Sequence, residues 1–153
     1  MTTSIQARQD IETRVAGWGQ TYADTITKNY REYHINTLNG NLSGNYPEYA
    51  REQLDAIENG TANLMYFKVK TGKRYYKIVQ QEFETWEKSK YYGQYRDGSV
   101  HAFVDKKTGQ VYKPASWAAP AKHVRFDLRI IREREFLFNP NNTGWAGGYL
   151  YLR

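Results

Sequence analysis

Five cations, Lys68, Lys70, Lys73, Arg74 and Lys77, fall within ten residues that contain no carboxylate, and Tyr66 and Tyr75 interleave with them. Cations that neutralise a phosphate backbone release its condensed counterions, and flat rings stack on unpaired bases. Tyr66, Lys68, Lys70, Lys73, Tyr75 and Lys77 are therefore the candidate nucleic-acid-binding set, for DNA or RNA. The same residues also suit a solvated sheet face on which lysine stems lie over tyrosine rings.

Catalytic and metal chemistry finds no comparable set. Lys-Thr-Gly occurs twice, ending at Gly72 and Gly109, but the Ser-x-x-Lys nucleophile that accompanies it in serine β-lactamases is absent. His34, His101 and His123 are far apart, and none has a second imidazole at ligand spacing. Ser99, His101 and Asp105 suggest a triad, but strict alternation along a strand would hold Ser99 and His101 too far apart for a bonded relay. Glu82, Glu84 and Glu87 lack a calcium-loop glycine and read as a solvated face. With no cysteine, there is no disulfide framework and no thiolate ligand. The reading is noncatalytic, with no catalytic residue, metal ligand or cofactor assigned.

The elements that must carry the cationic set follow from periodicity and charge. Residues 1–62 hold 5 Lys/Arg against 8 Asp/Glu, and residues 63–153 hold 17 against 8. Eighteen of the 24 aromatic residues also lie in the second part. In the first part, Ile11, Val15, Trp18, Tyr22, Ile26, Tyr30 and Tyr33 recur at steps of three and four, which predicts an amphipathic helix over about 4–33. Gly17 and Gly19 invite a kink or a close contact, and the loop from Asn36 to Asn45 should end the helix. Asn45 as cap, Pro47, Ala50, Leu54, Ile57 and the stop at Asn59-Gly60 predict a second helix over about 47–59. The expected division is a helical region 1–62 and a basic, β-rich region 63–153.

After Gly60 the period becomes two. A first hairpin is expected to turn at Lys70–Lys73, pairing Met65 with Ile78 and Phe67 with Tyr76 and leaving Tyr66, Lys68, Tyr75 and Lys77 on the opposite face. A second should turn at Lys106–Gly109 with Val104 beside Val111 and Phe103 beside Tyr112. Residues 81–98 read as a strand with an irregular connection ending in an Asp97-Gly98 turn, and Pro114 and Pro120 bracket a loop around Trp117. Val124, Phe126, Leu128 and Ile130 predict a further strand, and Tyr149-Leu150 a short terminal one. The fold class is α+β: an N-terminal amphipathic helix and a short second helix, then a mainly antiparallel sheet of hairpins.

Ser99-Val100-His101-Ala102-Phe103-Val104-Asp105, Lys107-Thr108-Gly109, Tyr112-Lys113-Pro114-Ala115-Ser116-Trp117 and Ala119-Pro120-Ala121-Lys122, with the closing Gly148-Tyr149-Leu150-Tyr151-Leu152-Arg153, carry a resemblance. The block centred on Ser99 to Leu128 resembles a family of small uncharacterised proteins encoded by tailed bacteriophages, those of cyanobacteria and other marine bacteria. The resemblance implies a viral source and no mechanism. No apolar run nears the roughly 18 residues of a membrane span, and the N-terminus lacks a signal peptide's basic and apolar regions. Expected locations are the host bacterial cytoplasm and the virion, with no membrane partner. The leading expectation is a basic accessory protein that binds nucleic acid. The alternatives are a virion structural or assembly component binding other protein chains, and a host-takeover protein that inhibits a bacterial enzyme. The aromatic stripe of the first helix also offers a surface for a homo-oligomer.

Overall fold

A computed structural model of the chain describes residues 4–151, so residues 1–3 and 152–153 at the outer ends of the two expected regions lie outside the described residues. The first helix, α1, spans Ser4–Asn41, a length of roughly 57 Å at the standard rise per residue. Val15, Tyr22 and Ile26 from its apolar stripe are fully buried, and Trp18 packs against them with the Arg134 guanidinium 4.4 Å above its ring. The helix runs unbroken through Gly17 and Gly19, and Gly19 lies against the Tyr76 ring. It also overruns the loop expected after Tyr33. Ile35, Leu38 and Leu42 prolong the stripe and pack on Ala50, Leu54 and Ile57 of α2, Pro47–Asn59. Burial of that seam outweighs the poor helix propensity of the Asn, Thr and Gly residues around it. The N-cap of α2 is Tyr46, without a side-chain cap bond, where Asn45 was expected, and Gly60 ends the helix at φ 75°.

Five antiparallel strands form a meander in the order β1-β2-β3-β4-β5: β1 Tyr66–Thr71, β2 Tyr75–Phe83, β3 Tyr95–Asp105, β4 Gln110–Tyr112 and β5 Phe126–Asp127. The second hairpin has the expected register, Phe103 opposite Tyr112 and Val104 opposite Val111. The first does not. Phe67 pairs with Gln80 and Val69 with Ile78, because the turn sits after Thr71, where the Gly72 amide bonds the Tyr75 carbonyl. Partners therefore change by four residues. An even shift preserves the faces, so Phe67, Tyr76 and Ile78 still oppose Tyr66, Lys68, Tyr75 and Lys77.

Asp97-Gly98 makes no turn; it lies inside β3, in a stretch with two register shifts against β2. A Cβ on Gly98 would lie 2.8 Å from the Glu82 carboxylate and 3.2 Å from the Gln80 carbonyl, so a side chain there would displace the end of Glu82. The connection from β2 to β3 is instead a loop over residues 84–94. Pro114 and Pro120 form an isolated bridge that closes the Trp117 loop. The strand expected over Val124–Ile130 shrinks to Phe126–Asp127. Asp127 turns its carboxylate onto the Arg129 amide and guanidinium, Glu133 takes the Asp127 amide, and the chain enters the short helix α3, Ile131–Leu137, which the sequence reading missed. The tail forms a single 3₁₀ turn, Gly148–Leu150, in place of a strand. Tyr149 and Leu150 are adjacent and both buried, which a strand with one wet face cannot achieve.

The main core lies between α1 and one face of the sheet. Thr71, Tyr76, Val104, Val111 and Phe126 form a row across all five strands on this inner face, and Val15, Tyr22, Ala23 and Ile26 pack into the same cluster with Leu137, Tyr149 and Leu150. Ile26→Ala should therefore lower the unfolding free energy by about 2–5 kcal/mol in a denaturant titration. Ile5→Ala, in the exposed first turns of α1, should change it by no more than about 0.5 kcal/mol.

Candidate nucleic-acid interface

The outer face of the sheet carries the row Lys70, Lys77, Phe103 and Tyr112. Beneath it, Val79, Val100 and Phe103 form a small buried cluster bordered by Tyr75 and Tyr112. No second layer of helix or sheet covers this cluster among the described residues; side-chain stems and the Trp117 loop shield it. The structure thus brings Tyr66, Lys68, Lys70, Tyr75 and Lys77 to one face, as the alternation requires.

Their surroundings differ from the expectation. The stretch that lacks carboxylates in sequence receives two from β3: Lys70 forms an ion pair with Asp97, and Asp105 lies 3.6 Å from Arg74. Hydrogen bonds from Gln81 and then Lys70 hold the Asp97 carboxyl below its ordinary value. The tyrosines are also engaged. Tyr66 meets Tyr95 edge-on at 5.0 Å, and Tyr75 meets Phe103 and Tyr112 at 5.8 and 6.2 Å. Lys77 spans Phe103 and Trp117, its ammonium 4.5 Å from the Trp117 ring. Lys68 stands exposed opposite Val79. Lys73 is exposed in the first turn, off the face and at the end of the sheet.

The free aromatic surface lies in the flanking loops. Trp117 is 46% exposed, and the 84–94 loop presents Trp86 at 62% and Tyr92 at 53%, with the Lys90 ammonium over Tyr91. Glu84 organises this loop: its carboxylate accepts from the Trp86 amide and from Arg96 Nε, and its backbone bonds Gly93 and Gln94. Glu82 also faces Arg96, at 3.2 Å. The sequence reading passed over Trp86, Tyr91 and Tyr92. The available signal was their lack of any period beside Lys88 and Lys90.

His101 lies on the inner side, because a register shift in β3 interrupts the alternation and turns the imidazole toward Phe67. Its Nε2 is 2.8 Å from the Tyr149 hydroxyl, which is 2.5 Å from the Tyr22 hydroxyl, and the Trp145 backbone lies close to the ring. Asp105 caps its own turn through the Lys107 and Thr108 amides, so Ser99, His101 and Asp105 form no relay. Burial pushes the His101 pKa down to about 4 and raises those of both tyrosines.

Comparison with known proteins gives one family. A family of unknown function (DUF7717) matches residues 1–152. No curated protein and no solved structure matches the chain.

The buried imidazole makes stability depend on pH. Its folded pKa of about 4 lies below its ordinary 6.5, so the fold excludes the proton that the unfolded chain accepts. This contribution is complete above about pH 6.5 and is lost as the pH falls toward about 4. Urea titrations should show that His101→Gln lowers stability near neutrality but flattens the decline across this window. Tyr149→Phe should cost about 1–3 kcal/mol near neutrality, because it leaves the buried His101 Nε2 without its partner.

Proposed function

The chain belongs to that family of unknown function, and from this premise we propose that it is a noncatalytic protein that binds single-stranded nucleic acid across its outer sheet face. The observation that carries the reading is a sheet face bearing Lys68, Lys70 and Lys77 that no second layer covers among the described residues, with exposed aromatic rings in the Trp117 and 84–94 loops. The lysines contact phosphates, while Trp117 and the loop rings Trp86, Tyr91 and Tyr92 stack on bases. Single strands are favoured because a duplex hides the base faces that such rings need. Asp97 and Asp105 temper the charge of the face and keep the backbone contact modest. The acidic region 1–62 supplies α1 behind the sheet, so the field directs a polyanion to the outer side. The tailed-phage source implied by the block around residues 99–128 would make nucleic acid an abundant partner.

Binding of fluorescent oligonucleotides across a salt series tests the reading. Reversing Lys68 and Lys77 to Glu should weaken binding strongly and reduce the salt slope by about 0.7 per lost phosphate contact. Trp86→Ala should cost about 1–3 kcal/mol on single strands and little on duplex. Thermal unfolding must be followed alongside, since Lys77 also covers Phe103. A wild-type protein that binds no oligonucleotide at low salt would exclude the reading. A folded charge-reversed variant that binds normally would reduce the face to a solvated surface and favour a protein-binding role in the virion.

A further inference from the structure

The two Lys-Thr-Gly segments, unexplained by the face reading, lead into neighbouring turns at one end of the sheet. The turns are clamped to each other. The Lys106 amide bonds the Arg74 carbonyl at 3.0 Å, and the Lys106 ammonium bonds the Gly72 carbonyl at 3.1 Å. Between them lies a cleft of about 610 Å³ lined by Lys73, Arg74, Asp105, Lys107 and Thr108.

The charges in this cleft do not cancel. Asp105 is its one carboxylate, and one of its oxygens caps the second turn through two backbone amides. Arg74 lies over the Tyr75 ring and donates no hydrogen bond to a described residue. Thr108 Oγ1 accepts the Gln110 amide, which leaves its hydroxyl proton free to donate outward. Three cations against one carboxylate leave two positive charges in the cleft. A phosphate monoester carries about −1.5 to −2 at neutral pH. A guanidinium fork beside two ammonium groups matches its oxygens.

We propose that the cleft between the two turns binds a phosphate monoester group through Lys73, Arg74, Lys107 and the Thr108 hydroxyl. This site is separate from the outer face and does not need Lys68 or Lys77. Its ligand is either the terminal phosphate of a strand or a free phosphorylated compound.

Tripolyphosphate titrated at low ionic strength, read by calorimetry and by the amide resonances of Lys107 and Thr108, tests the site. The wild-type protein should bind and shift those amides. Lys73→Gln with Lys107→Gln should weaken binding about tenfold or more, as loss of charge-assisted bonds requires, without lowering the thermal midpoint. Lys68→Gln with Lys77→Gln should leave tripolyphosphate binding unchanged. No binding by the wild type, or equal loss in both double variants, would overturn the proposal. Oligonucleotides ending in phosphate or in hydroxyl separate the sources. Preference for the phosphate end identifies a strand terminus; equal binding with tripolyphosphate retained identifies a free compound. Oligonucleotide binding without end preference, together with no response to tripolyphosphate, would overturn this site and leave the outer-face reading standing.

Discussion

Tyr22, Tyr149 and His101 share one buried hydrogen-bonded chain that joins α1, β3 and the C-terminal turn, parts of the protein distant in sequence. In a low-dielectric interior each of these groups needs its neighbour, because an orphaned hydroxyl or imidazole there costs more than the bond itself contributes. Asn29 fastens the same segment further along α1: its amide donates to the Pro140 carbonyl and accepts from the Trp145 amide. Thr27 takes the Phe67 amide at the free edge of β1. α1 is thus bonded to the β1 edge of the sheet and to the C-terminal segment, and Val15, Tyr22 and Ile26 of its stripe are covered by the chain's own core while Tyr33 stays half exposed.

The inner face being occupied by α1 and the C-terminal segment, the outer face is covered among the described residues only at the Trp117 loop. Its small cluster of Val79, Val100 and Phe103 must be shielded by whatever side chains border it. Lys77, Tyr75 and Tyr112 serve that purpose with their stems and rings while their polar ends reach solvent. Structural and functional readings of this face therefore coincide in the same residues. The 84–94 loop is free of that duty, and it holds the exposed rings of Trp86 and Tyr92.

Some elements were legible because a single physical signal controlled them. The second hairpin was read to the residue because Gly109, at φ 73°, and the alternation on both sides allow one register. The stop of α2 at Gly60 followed from the same left-handed preference. In the first hairpin two residues either side of Gly72 could hold the turn, and the wrong pairing still returned the right faces. Of the candidate site, Tyr66, Lys68, Lys70, Tyr75 and Lys77 share a face as alternation predicts, whereas Lys73 sits in the first turn, beside residues of the second. The loop rings Trp86, Tyr91 and Tyr92 lie in the 81–98 segment, read as a strand with an irregular connection, where the structure has the 84–94 loop.

The sequence by itself determined the α+β class, the charge division and the two faces of the hairpins, since each depends on local periodicity or on composition. Tertiary structure decided the rest. Packing against α2 carried α1 through residues whose propensity would end it, and the need to bury Tyr149 and Leu150 together replaced a strand with a 3₁₀ turn. The carboxylates beside Lys70 and Arg74 came from β3, some 30 residues onward, through strand pairing that no local pattern encodes. The same pairing placed the two Lys-Thr-Gly turns side by side, because β2 and β3 are neighbours and both turns close at one end of the sheet. Charge environment is a property of neighbours in space, and it becomes defined only when the strands have met.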